Sequence, residues 1–129
     1  MDSPPSPPSP SKVAQGLCAE RFVAEQLTQS GWTLLQHDWR TPYAQVDLFL
    51  RHPQGNLVVV EVKARGPCSW VEEEDVLAFA QRQRLQRALC WIASLPQARG
   101  LTVRLDLAIV DWVQGRPRQW RLLEEIELV

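Results

Sequence analysis

Leu57-Val58-Val59-Val60-Glu61-Val62-Lys63-Ala64 is a β-branched run bounded by Gly55-Asn56 before it and Gly66-Pro67 after it. A continuous apolar stretch between turn signals predicts a central strand buried on both faces. Gln45-Val46-Asp47-Leu48-Phe49-Leu50 reads as a second strand, joined to the first as a hairpin through Pro53-Gln54-Gly55-Asn56. Lys12 to Ser30 reads as a helix ending at Gly31. At about 100° per residue, its Val13, Leu17, Glu20, Ala24 and Leu27 share a stripe roughly 80° wide. A second helix is predicted from about Asp75 to Leu95, with Leu77, Ala88, Trp91 and Leu95 on a stripe that also admits Gln81 and Arg84. Leu101 to Val110 alternates, which predicts a strand whose wetter face carries Thr102, Arg104 and Asp106. Gly115-Arg116-Pro117 then reads as a turn before a short edge strand through Trp120-Arg121-Leu122, and Glu124 to Val129 has no assigned element.

Three charges interrupt the two strands of the hairpin. Side chains alternate across a strand, so Glu61 and Lys63 share one face about 7 Å apart, while Val58, Val60 and Val62 fill the other. The hairpin lets Asp47 face Glu61, and two such carboxylates repel unless a divalent cation lies between them. Hard oxygen ligands suit magnesium or manganese. Lys63 beside that cation would stabilise a developing anion or orient a water. Standing alone, Glu-x-Lys on a strand reads more simply as an exposed cross-strand ion pair. Glu20 adds weight to the other reading, because it sits in the middle of the apolar stripe of the first helix. It is either a rim residue that snorkels or pairs with an arginine, or a third acidic group aimed at the same site. Arg82, Arg84 and Arg87 make the second helix the most cationic stretch, a pattern that ordinarily marks a solvated face.

Six pieces in order carry a family resemblance. They are Ala19-Glu20, Gly31-Trp32-Thr33-Leu34-Leu35, Gln45-Val46-Asp47-Leu48, Val60-Glu61-Val62-Lys63-Ala64-Arg65, Gln81-Arg82-Gln83-Arg84-Leu85 and Arg104-Leu105-Asp106-Leu107. On these the chain resembles, from about Lys12 to Val110, the YraN family of small bacterial proteins, which look like Holliday-junction resolvases of the PD-(D/E)xK nuclease-like superfamily. The resemblance implies an α/β fold with a restriction-endonuclease-like core, in the order α-β-β-β-α-β, whose four- or five-stranded mixed sheet is flanked by helices. It implies Mg2+ or Mn2+ held by Asp47, Glu61 and the Val62 carbonyl, with Lys63 catalytic and Glu20 an accessory acid. Gln45, Arg65, Gln81 and Arg84 are then expected to contact nucleic acid. A homodimer is implied as well, since a four-way junction presents two symmetric cuts. The chain departs from the family pattern at Ala19, where Gly is usual, at Gln45, where Glu is usual, and at Gln81, where Lys is usual.

Composition narrows the rest. The chain has 129 residues, of which Met1 to Ser11 are almost wholly Ser and Pro, so a disordered extension is expected before one domain spanning 12–129. It lacks the basic start and apolar core of a signal peptide, and no apolar run reaches the length of a membrane span; a cytoplasmic protein without membrane contact is expected. Cys18, Cys68 and Cys90 are odd in number and lack CxxC spacing, which argues against a zinc site or disulfide framework. His37 and His52 have no ligand partner at usable spacing. The net charge of −1 argues against tight nonspecific nucleic-acid binding. A local patch of Lys63, Arg65, Arg82, Arg84 and Arg87 remains compatible with it, opposed by an acidic cluster at Glu72, Glu73, Glu74 and Asp75. Of the six tryptophans, Trp91 is expected in the core and Trp32 under the first helix, with Trp39, Trp70, Trp112 and Trp120 open between packing and base stacking.

The expectation is therefore a metal-dependent endonuclease-like protein that hydrolyses phosphodiester bonds in DNA, branched, recombination-related or single-stranded. The alternative is a nuclease fold without turnover that binds nucleic acid or protein. A third reading makes the acidic residues structural and lets the protein act through its Pro-rich tail.

Overall fold

The computed structural model describes residues 12–66 and 77–127. The Ser/Pro extension, Cys68, Trp70 and the acidic cluster from Glu72 to Asp75 lie outside them. In chain order the elements are helix α1 (Lys12–Gln29), strands β1 (Thr33–Arg40), β2 (Gln45–Arg51) and β3 (Leu57–Arg65), helix α2 (Phe79–Ala93), a short 3-10 turn at Pro96–Ala98, and strands β4 (Val103–Val113) and β5 (Arg116–Leu123). The strands form one sheet in the spatial order β1-β2-β3-β4-β5. β3 and β4 are parallel and every other neighbouring pair is antiparallel, which makes the sheet mixed. A parallel pair needs a crossover, and α2 lies in the connection that supplies it. This is the α/β arrangement expected, a five-stranded mixed sheet flanked by helices, with β5 as a fifth, edge strand.

The alternating side chains of the central strands feed two cores. Val58, Val60 and Val62 of β3 pack with Leu48, Leu50, Ala108 and Val110 beneath Ala19, Val23 and Leu27 of α1, and Trp32 joins them as expected. Leu57 and Val59 pack with Phe49, Leu105, Leu107 and Ile109 beneath Leu85 and Ile92 of α2. The sheet is thus sandwiched between the two helices. Among the described residues no helix is long and apolar enough to cross a membrane.

Three expectations are corrected. The buried line of α1 is Ala19, Val23 and Leu27, whereas Leu17 is 54% exposed. Its centre lies about 60° from Glu20, so Glu20 sits half-buried at the rim and not in mid-face. Small Ala19 lets the helix approach the sheet, and the bulkier Leu17 faces away. The second helix begins at Phe79, since Ala78 is extended (ψ 152°), and its inner line is Leu85, Ala88 and Ile92. Leu77 is buried from the non-helical approach to it, and Trp91 is half-buried on its flank against Trp39, with ring centroids 5.6 Å apart. The wetter face expected of β4 fails at Asp106, which is 0% exposed, while Arg104 is half-buried and Thr102, just before the strand, is exposed.

The reason for the last is the segment after β5, which continues alongside β4 past Leu107↔Leu123. Ile126 donates its N–H to the Leu105 carbonyl at 2.8 Å, and Glu125 donates its N–H to Asp106 Oδ1 at 3.0 Å. Arg104 supplies two further donors to the same carboxylate, Nε at 3.1 Å and Nη2 at 3.3 Å. A buried carboxylate with three donors is affordable where an unpaired one is not. Asp106→Ala strands Arg104 and the Glu125 N–H, and is expected to lower unfolding free energy by about 3 kcal/mol in urea titrations. A loss under about 1 kcal/mol would show that the C-terminal segment is anchored elsewhere.

Candidate functional site

The hairpin of β2 and β3 is paired only near its turn. Its ladder runs from Arg51↔Leu57 to Leu48↔Val60. Beyond that point β2 continues beside β1, through Trp39↔Val46 and Arg40↔Gln45, while β3 continues beside β4 from Glu61↔Leu107 to Arg65↔Asp111. A wedge opens between them. Asp47 lies at its apex, and its Oδ2 accepts the Val62 N–H at 2.9 Å, so a side chain takes the place of the missing ladder bond. The N–H and C=O of one strand residue point to the same edge, so the Val62 carbonyl faces this wedge too.

Glu61 is 4% exposed. Its Oε1 accepts a hydrogen bond from Gln81 Nε2 of α2 at 2.8 Å and lies 3.9 Å from Lys63 Nζ. Its Oε2 is buried with no hydrogen-bond donor among the described residues. Burial pushes the Glu61 carboxyl up to about 8, the Asp47 charge adds to this, and Lys63 opposes it. Burial also raises Asp47, against the Val62 N–H and Lys63. Glu20 reaches Asp47 from α1 and is pushed up to about 9, first by burial and then by the Asp47 charge. Oxygens of Glu20, Asp38 and Asp47 all lie within 4.8 Å of one another. Four carboxyl groups thus form a chain from Glu61 through Asp47 to Glu20 and Asp38, more negative charge than the wedge can hold without a proton or a cation.

The donor set fits a hard divalent cation. It is all oxygen, it includes a backbone carbonyl, and it contains a buried carboxylate oxygen that no donor group satisfies among the described residues. A cavity of about 360 Å³ adjoins it, bringing together Gln45, Asp47, Glu61, Gln81 and Arg84 with Ala44 and Leu85. Five residues singled out from sequence therefore share one recess. Lys63 stands beside Glu61, while Arg65 is held away from the recess by Asp111, Nε to Oδ1 3.0 Å.

Asp38 is the residue that sequence reasoning missed. His37↔Leu48 and Trp39↔Val46 place it directly opposite Asp47. The signal was the turn: buried Thr41 receives the Ala44 N–H on Oγ1 at 3.0 Å and donates Oγ1–H to the Ala44 carbonyl at 2.7 Å, fixing a tight hairpin from which the register can be counted. Asp38 also has a positive φ of 46°, a conformation that Asp tolerates better than most residues. Of the tryptophans left open, Trp112 is buried and Trp120 packs edge-on against Phe22 at 6.5 Å.

The raised carboxyl groups set a sign for pH dependence. Glu61 holds its proton to about 8 in the fold against 4.5 when exposed, so the stability it contributes is full below 4.5 and is lost as pH rises through that window. In metal-free protein the unfolding midpoint is expected to fall between about pH 5 and about pH 8.5. Glu61→Gln should flatten the fall, and saturating Mg2+ should raise the midpoint more at the alkaline end. A wild-type midpoint that stays level or climbs would contradict the buried-carboxylate description.

Comparison with known proteins places the chain. A family model described as "Uncharacterised protein family UPF0102" matches residues 19–110. A UPF0102 protein of Synechococcus sp. (strain JA-3-3Ab) is 33% identical over 110 residues, covering 83% of this chain and 81% of that one. One from Parasynechococcus marenigrum (strain WH8102) is 36% identical over 110 residues, covering 83% and 80%. Among solved structures, a repair endonuclease from Pyrococcus abyssi aligns with TM-score 0.49 and 16% identity over 84% of this chain, which spans 42% of that one. Pyrococcus furiosus SfsA in complex with Ca2+ aligns with TM-score 0.46 and 14% identity over 87% of this chain, which spans 64% of that one. The six ordered motifs, the match over residues 19–110 and the identity to these relatives agree: the chain belongs to the UPF0102 (YraN) family.

Proposed function

We propose that this protein is a divalent-metal-dependent phosphodiester hydrolase acting on DNA. The observation that carries the reading is Glu61 Oε2, a carboxylate oxygen buried without a donor among the described residues, beside Asp47 in an open recess. Asp47, Glu61 and the Val62 carbonyl would hold Mg2+ or Mn2+, with Glu20 as an accessory acid. When bound, such a cation polarises a phosphate oxygen and lowers the pKa of a water.

The chain's own residues set the rest of the chemistry. The Gln81 amide fixes one oxygen of Glu61 and leaves the other for a ligand, while the Val62 N–H fixes Asp47. Lys63 Nζ, 3.9 Å from Glu61, stabilises negative charge that develops on the phosphate during cleavage. Gln45 and Arg84 line the recess where a phosphodiester would enter. Arg65, paired with Asp111, adds positive field at the far end of β3. Branched or recombination-related DNA, a homodimer matched to its symmetry and a cytoplasmic location go with this reading through the family resemblance.

A second reading, a nuclease fold that binds without turnover, is favoured by the uncharged Gln45 and Gln81 and by the net charge of −1. One experiment separates the two. Labelled single-stranded, duplex, flapped and four-way-junction DNA is incubated with Mg2+ or Mn2+ and the wild type or single variants. Cleavage is expected with the wild type and not with Glu61→Gln. Asp47→Asn should weaken Mn2+ binding in calorimetry about tenfold or more, whereas Lys63→Ala should keep the ion and slow cleavage about 100-fold. Binding without cutting would support the second reading, and undiminished cutting by all three variants would refute the site.

A further inference from the structure

A second recess, of about 690 Å³, lies along α2 and is lined by Tyr43, Gln83, Gln86, Arg87, Trp91 and neighbouring small residues. The two recesses are lined by neighbouring positions of the same two segments. Tyr43 belongs to this one while Ala44 and Gln45, next in the chain, line the other; Arg84 and Arg87 lie one turn apart on α2. Among the described residues, Arg84 and Arg87 have neither an ion-pair nor a hydrogen-bond partner, in contrast to Arg65 and Arg104. Tyr43 is 46% exposed, yet its backbone is fixed by the Thr41 hydroxyl, which accepts the Tyr43 N–H at 3.3 Å and the Ala44 N–H at 3.0 Å. Trp91 is braced from behind by Trp39, itself stacked on Phe49 with centroids 5.0 Å apart.

We infer that this groove is the subsite for an unpaired nucleotide next to the phosphodiester that is cleaved at the Asp47–Glu61 recess, with Tyr43 the stacking platform and Arg87 the phosphate contact. The inference rests on the nuclease reading and names its substrate class. A pre-positioned exposed aromatic ring offers a face that any base can stack on, and only an unpaired base has its own face free. Gln83 and Gln86 present amide donors and acceptors to a base edge. Two unpaired guanidinium groups at one-turn spacing supply local positive charge in a protein whose net charge of −1 provides none at long range. A duplex would bring phosphates to the arginines but hide the bases from Tyr43.

Fluorescence polarisation of a labelled oligo-dT strand and of a blunt duplex, on the full chain with EDTA, reads binding apart from cleavage. The wild type is expected to prefer the single strand. Tyr43→Ala and Arg87→Glu should each weaken single-strand binding about tenfold, and Tyr43→Phe should retain it because the ring remains. Circular dichroism melts confirm that the variants are folded. Equal affinity for duplex and single strand, or undiminished binding by both groove variants, would overturn the inference. If those variants bind normally while the wild type still cuts in a Glu61-dependent manner, the groove fails and the nuclease reading stands. No binding and no cutting by the wild type would overturn both.

Discussion

The hydrogen bond from the Val62 N–H to Asp47 Oδ2 is the constraint on which the site depends. It forms where the β2–β3 ladder has stopped, and it satisfies a backbone donor that the parting strands would otherwise bury unpaired. A charge-assisted bond of this kind contributes about 1.5–3 kcal/mol, which offsets part of the penalty for placing Asp47 beside Glu61. Because the bond ties the two strands together at the apex, β2 can part from β3 without the sheet losing its order. β3 then serves two ends at once: Val58, Val60 and Val62 hold the core under α1, while Glu61 faces α2.

The wedge is also where both layers of helices reach the carboxylate cluster. α1 delivers Glu20 to Asp47, and α2 delivers Gln81 to Glu61. These approaches come from opposite sides of the sheet, so neither helix can shift without altering the surroundings of one carboxylate. The phase of α1 matters for the same reason. Burying Ala19, Val23 and Leu27 leaves Glu20 at the rim, near enough to Asp47 to feel its charge and open enough to exchange a proton or a ligand with solvent. Had Glu20 sat in mid-face, it would have been sealed against the sheet.

The parts of this arrangement that sequence discloses are those fixed by short-range rules. A Val-rich run between glycines, a Pro-Gln-Gly-Asn turn and the two-residue period of strands are enough to place Asp47, Glu61 and Lys63 together. The parts it hides are set by what covers what. The alternation of Arg104 and Asp106 reads as a wet face, but the segment that continues beside β4 brings the Glu125 N–H to the Asp106 carboxylate. Leu17 looks like a core residue because it is apolar at helical spacing, but the sheet lies under Ala19 and Val23, and Leu17 faces away. On α2, Trp91 draws the apolar stripe toward itself by size, while the smaller Ala88 and Ile92 mark the true inner line. Asp38 was within reach, since the Thr41–Ala44 turn sets the register that puts it opposite Asp47.

On the proposed reading, the distribution of charge couples the two ligands. A wedge with Glu20, Asp38, Asp47 and Glu61 repels a phosphate as long as those groups are ionised, and near-neutral net charge offers no long-range attraction to compensate. Neutralising the wedge with a cation removes that repulsion, and a phosphate seated there in turn gives the cation a further anionic ligand. The two bindings therefore favour each other by the same factor, whichever comes first. Arg84 and Arg87 stand just outside the wedge, where they attract a strand whether or not the cation is bound. Capture by the groove and engagement at the carboxylates are then separable steps, and a strand held only by the first stays uncut until the second is satisfied.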